Sequence, residues 1–83
     1  MRVWFKFGDS GRDAHVELPA APRVGEGVLW VTEEESPDDG AVIEYRKQYR
    51  VRHVDWTISE RLNMTATENP PVLIVHLEHV GEL

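Results

Sequence analysis

The apolar residues of this chain recur with a period of two along nearly every stretch long enough to contribute to a core. Side chains of an extended strand point alternately to its two faces, so this spacing predicts strands and leaves little room for helix. Val3, Phe5 and Phe7 share one face of the first extended segment, while Arg2, Trp4 and Lys6 share the other. Gly8 to Asp13 supplies the Gly, Asp and Ser residues of a turn. Ala14, Val16 and Leu18 then alternate with His15 and Glu17, which completes an N-terminal hairpin.

Pro19 and Pro22 cannot donate to a ladder, so Pro19 to Gly27 reads as an ordered crossing loop. Val28 to Thr32 follows as a strand with apolar residues on both faces, the pattern of a central or barrel-closing strand. From Ala41 the chain is extended again. Tyr49 and Val51 share a face, and Val54, Trp56 and Ile58 stay in phase with them only if one residue is skipped, which predicts a β-bulge at Arg52 and His53. After Pro70 and Pro71, Val72 to Val80 forms the last strand. Between them, Thr57 to Asn69 fits two descriptions: a Thr57–Glu60 capping box opening one helical turn, or a strand carrying Leu62, Met64 and Ala66. Either way the expected fold is all-β, a small five- or six-stranded partly open barrel with at most one short helical turn, in a single domain over residues 1–83.

A chain of 83 residues buries only roughly 60 to 65% of its unfolded surface, so the margin of stability is thin and self-association is a natural way to widen it. The absence of cysteine removes disulfides as an alternative and fits a reducing compartment. With no leader-like segment and no run of 18 apolar residues, the expectation is a soluble cytoplasmic protein without a membrane span. The net charge of −6 is unevenly placed: Glu33, Glu34, Glu35, Asp38 and Asp39 lie within seven residues, and without them the charge is −1. Such a run, with Ser36, Pro37 and Gly40 among it, reads as a solvated flexible loop at about 33–40. Carboxylates at phosphate-like spacing also suit nucleic-acid mimicry, but five charges are sparse for that role.

The residue combinations of common catalysis are missing: no cysteine nucleophile, no glycine-rich phosphate loop, no Gly-x-Ser-x-Gly turn and no zinc spacing. A non-enzyme without cofactor is expected. His76-Leu77-Glu78-His79 gathers ligand-type side chains, yet residues three apart in a strand face opposite ways, so His76 and His79 cannot share an ion. His76 and Glu78 share a face, and a site would need a third ligand such as His53 or His15. No metal is assigned. The basic run Arg46, Lys47, Arg50 and Arg52 interleaves with Tyr45 and Tyr49, as in small barrels that bind nucleic acid. These cations also serve to neutralise Glu44, Glu17, Glu78 and the acidic run across the sheet. Trp4, between Arg2 and Lys6, places an indole on the polar face, as an interface anchor or a cover over a barrel end. Trp30 and Trp56 read as core.

Leu18-Pro19, Pro22-Arg23-Val24-Gly25-Glu26-Gly27-Val28 and Tyr49-Arg50-Val51-Arg52-His53-Val54-Asp55-Trp56 occur in an order that resembles uncharacterised small SH3-like β-barrel proteins of high-GC bacteria and their phages. The shared features are a Pro-x-x-Gly-x-x-Val lead-in to one strand and a Tyr-x-Val-x-x-Val lead-in to the next, over about the middle half of the chain. The resemblance implies an SH3-like fold and a mobile-element origin, with the host cytoplasm as location if phage-encoded; it brings no site residues. The stretch from Glu33 to Tyr45 departs from it by being longer and more acidic than a tight hairpin.

The function expected from these readings is an interaction module that binds a protein partner or itself as a homodimer, using Trp4 and a strand edge or the charged rim. The alternative is a nucleic-acid-binding barrel using Tyr45, Arg46, Lys47, Arg50 and Arg52.

Overall fold

A computed structural model describes residues 1–60, 62 and 71–82. Five strands form one sheet: β1 (Arg2–Phe7), β2 (Asp13–Glu17), β3 (Gly27–Glu35), β4 (Val42–Thr57) and β5 (Val72–Glu82). Their order is β2-β1-β5-β4-β3, with β1 and β5 parallel and every other pair antiparallel. The sheet curls into a half-barrel, and no helix occurs among the described residues. The all-β, partly open barrel expected from the alternation is the observed architecture.

Each strand places its alternate residues inside. Val3, Phe5 and Phe7 of β1, Leu73, Val75 and Leu77 of β5, and Tyr49 and Val51 of β4 are buried and form the core. Trp30 of β3 reaches across the curl and meets Phe5 and Phe7 edge-on, with ring centres 5.3 and 4.7 Å apart. Edge-to-face aromatic pairs of this kind add about 1 kcal/mol each beyond the area they bury. The loop from Leu18 to Glu26 crosses from one edge of the sheet to the other, and Leu18 and Ala21 pack on the core as it passes. It docks through Gly25, whose φ of 93° suits the third position of the Arg23–Glu26 turn and whose N–H donates to the Val51 carbonyl at 2.8 Å.

Two bulges bend the long strands. The β4–β5 register passes from Val51↔Leu77 to His53↔His76, leaving Arg52 as the extra residue, where the broken alternation places it. A second shift, from Tyr49↔His79 to Gln48↔Gly81, makes Val80 the extra residue of β5. Strand β4 thereby serves two partners: Val42–Arg50 pairs with β3, and Lys47–Thr57 pairs with β5. Sixteen extended residues span about 53 Å at 3.3 Å each, which matches the 53 Å long axis of the molecule. The radius of gyration is 16.0 Å, against about 12 Å for a compact chain of this length. The far half of the β3–β4 hairpin carries no core residue and contributes to this elongation.

Three expectations need correcting. Val28–Thr32 is neither central nor barrel-closing: β3 is an edge strand, with Val28 and Trp30 facing in and Leu29 and Val31 on the outer surface. The acidic run is a loop only in its second half. Glu33, Glu34 and Glu35 pair with Glu44, Ile43 and Val42, and the turn is confined to Ser36–Ala41. Strand pairing needs only backbone groups, so solvated glutamates extend a ladder as long as a partner strand lies alongside. Asp39 accepts from the Ala41 N–H at 3.0 Å, and Gly40 takes the left-handed position at φ 73°. Trp56 is no core residue, being 52% exposed opposite Leu73, beyond Arg50, the last residue of β4 that β3 covers. Thr57 closes β4 against Val72 and Ile58 to Glu60 is irregular, so that part of the stretch opens no helix. The remaining choice between turn and strand up to Asn69 falls mostly outside the described residues.

Candidate functional site

The pleat of β4 divides the basic run. Tyr45, Lys47 and Tyr49 stand opposite Thr32, Trp30 and Val28 on the inner face, whereas Arg46 and Arg50 stand opposite Val31 and Gly27 on the outer face. Arg52 occupies the bulge. Lys47 Nζ lies 3.6 Å from the Asp9 carboxylate, and the Tyr49 hydroxyl donates to both oxygens of that group at 3.3 Å. Desolvation there opposes ionisation, but the Lys47 charge and the Tyr49 hydrogen bond outweigh it and hold Asp9 below the ordinary carboxylate range. Arg46 donates through Nε to Glu44 at 3.2 Å, with Nη2 also 3.2 Å away, and Arg50 faces Glu78 across the ladder. The four cations are therefore divided between faces, two of them ion-paired and a third opposite a glutamate. Tyr45 lines a hollow of about 160 Å³ with Phe7, Trp30, Thr32 and Lys47 at the open end of the barrel.

Trp4 is half-buried on the outer face. Its ring stacks on His15 with centres 5.2 Å apart, and the Lys6 ammonium lies 4.5 Å from the ring centre. Its Nε1 is buried with no hydrogen-bond partner among the described residues. The indole thus joins β1 to β2, and one of its faces is already covered.

The histidines separate as strand geometry requires. His76 lies on the outer face and His79 on the inner, where its ring is 5.4 Å from Tyr49 and its Nδ1 is 4.0 Å from Asp9. His53 joins His76 as the bulge brings them side by side, but the third member is Asp55, not Glu78: His53 Nε2 is 2.8 Å and His76 Nε2 is 3.1 Å from its two oxygens. Asp55 was invisible to sequence reasoning because only the β4–β5 register sets it beside His76. Desolvation raises its affinity for a proton, yet the hydrogen bonds and charges of His76 and His53 prevail and lower it. Among the described residues, no three such side chains are placed to hold a metal ion.

Sequence reasoning named a strand edge, but not which edge is open nor the mouth of the half-barrel beside it. Strands β2 and β3 are the two edges of the sheet and do not pair with each other. Between them lies a groove of about 510 Å³ lined by Phe5, Val16, Leu18, Ala21, Val28 and Trp30, with the backbone of Gly27–Val31 along one wall. The Val51 N–H donates to the Glu26 carbonyl at 2.9 Å and the Ser36 N–H to the Ala41 carbonyl at 2.7 Å, which sets the parity of the β3–β4 ladder at both ends. Hydrogen-bonded pairs in an antiparallel ladder recur every second residue, so Val28, Trp30, Thr32 and Glu34 bond to β4. The N–H and C=O groups of Leu29, Val31 and Glu33 consequently point to the open edge, and among the described residues no other strand takes them. Leu29 and Val31 are also 43% and 45% exposed. The signal was present in the two-sided apolar pattern of Val28–Thr32, which fits burial by a neighbour that this chain does not supply among its described strands.

Comparison with known protein families, with curated proteins and with solved structures finds no significant match. The site therefore rests on its own geometry.

Proposed function

We propose that this protein is a non-enzymatic interaction module that captures a protein partner by adding an extended segment of it to the open edge of the half-barrel. One observation carries the proposal: β3 presents a nine-residue edge whose alternate backbone groups no described strand takes, beside an apolar groove. Unpaired edges are templates for another strand; main-chain hydrogen bonds give affinity and the alternate side chains give selectivity. A domain with so small a core also gains stability from whatever binds its folded state alone. The division of the basic run between two faces weighs against the nucleic-acid reading, which needs one continuous track of cations.

The test is a selection of random peptides on the immobilised full chain, with counter-selection on Val31→Pro, which removes one edge N–H. Peptides enriched on the parent chain and lost on the variant are the expected result. Peptides that bind both equally, or none enriched at all, would overturn the proposal. So would salt-sensitive retention of a mixed-sequence DNA duplex that Arg50→Ala with Arg52→Ala abolishes, since that outcome assigns the function to the basic residues.

A further inference from the structure

We infer that the segment received by β3 is basic at its N-terminal end and apolar after it, and that it runs antiparallel to β3 with cations opposite Glu35 and Glu33 and apolar side chains opposite Val31 and Leu29. The inference rests on the interaction-module reading and adds the chemistry and direction of the partner. It follows from three features of one edge. First, the side chains on the outer face of β3 change character along the strand, from Leu29 and Val31 to Glu33 and Glu35. Directly opposed residues of a new strand lie about 5 Å away on that same face, close enough for each to be matched by type. Opposite charges placed there favour pairing and like charges oppose it. Second, Glu33 and Glu35 carry no ion pair among the described residues, Arg46 on the same face is ion-paired with Glu44, and the Asp38 and Asp39 turn lies beyond, so the balance of charge at this end of the edge is negative. Third, the inner side chains of the incoming strand enter above Trp30 and Val28, where the groove is apolar and needs small or aliphatic residues.

A second copy of the chain is the weaker occupant. Neither edge strand, Asp13–Glu17 or Gly27–Glu35, contains a lysine or arginine, and each copy brings a net charge of −6. Self-pairing would thus satisfy the backbone while leaving the glutamates unmatched. The slightly better hydrogen bonding of antiparallel ladders favours the antiparallel direction, which is also that of β3 with β4.

The experiment uses the full chain, labelled with ¹⁵N, and three capped peptides at millimolar concentration: Lys-Thr-Lys-Thr-Val-Ala-Val-Ala and its counterparts with both lysines replaced by glutamine or by glutamate. The readout is amide hydrogen exchange at Leu29, Val31 and Glu33, which should be fast in the free protein. The lysine peptide should slow all three and bind about tenfold more tightly than the glutamate peptide at low salt. The gap should close in 1 M salt, where the screening length is about 3 Å. Glu33→Lys with Glu35→Lys should invert the preference while leaving the fold intact, because both side chains are exposed. Equal binding of all three peptides, with the amides protected, would overturn the basic preference and leave strand addition standing. Protection at the same amides that grows with protein concentration alone would replace the partner by a second copy. Failure of every peptide to protect those amides would remove the interaction-module reading along with the inference.

Discussion

Strands β2 and β3 occupy the two edges of the same sheet, and they are protected to different degrees. Strand β2 is five residues long, with Asp13, His15 and Glu17 exposed along it, and the Leu18 N–H beyond it is tied to the Met1 carbonyl at 2.8 Å. Short edges carrying charged residues are poor templates for another strand. Strand β3 is nine residues long, flanked on one side only among the described residues, and shows Leu29 and Val31 to solvent before its glutamates begin. A bulge, a proline or a lysine within Gly27–Val31 would blunt this edge, as shortness and charge blunt β2, and that stretch holds none of them. The difference separates a short, charged edge from a long one whose first half is apolar.

The contrast can be broken most severely at the strand both edges depend on. Leu73, fully buried in β5, packs between the β1–β2 and β4–β3 halves. Leu73→Ala should cost about 3 kcal/mol, read as a lower urea midpoint with an unchanged slope. A loss under about 1 kcal/mol would mean that the two halves do not share one core.

A sharper test separates the two sides of β3 itself. The Thr32 N–H points to β4 and the Val31 N–H to the open edge. Thr32→Pro should therefore cost about 3 kcal/mol in the hairpin, whereas Val31→Pro should cost about 1 kcal/mol or less. Urea titration of both variants checks the parity; equal losses would contradict it.

The far half of the hairpin, beyond the core, should respond alone. Gly40→Ala places a Cβ in a left-handed conformation at φ 73°, a strain of about 1 kcal/mol. Faster amide exchange at Glu34 and Ile43, with Val3 and Val75 unchanged, is the expected outcome. Acceleration across the whole sheet would show that the arm and the barrel unfold together.

The smallest effect concerns the tie between the β1–β2 turn and β4. The Lys47 charge and the Tyr49 hydrogen bond hold Asp9 below the ordinary carboxylate range, so its contribution to stability is present at neutral pH and is lost as the pH falls through and below that range. Asp9→Asn should flatten the acid limb of the stability profile, measured by urea titration between pH 5 and pH 2.5, on the order of the window set by the carboxylate range. An unchanged acid limb would mean that the Lys47 and Tyr49 contacts do not persist in solution.

Much of the architecture was legible from the residues because its causes are local. Period-two alternation marked β1, β2 and β5, the break in phase marked the bulge at Arg52, and Gly and Pro marked the turns. What the alternation left undecided is which strands become neighbours, since apolar faces of similar size can pair in several orders. Only the assembled sheet made β3 an edge, carried Glu33–Glu35 into a ladder, exposed Trp56, divided Arg46 and Arg50 from Lys47, and brought Asp55 between His53 and His76. By itself the sequence determined that this chain builds strands and where they bend, because side-chain direction in a strand follows from residue spacing. The tertiary structure decided which backbone edge is left open, because an edge is defined by the absence of a neighbour, and that depends on how every other strand has paired.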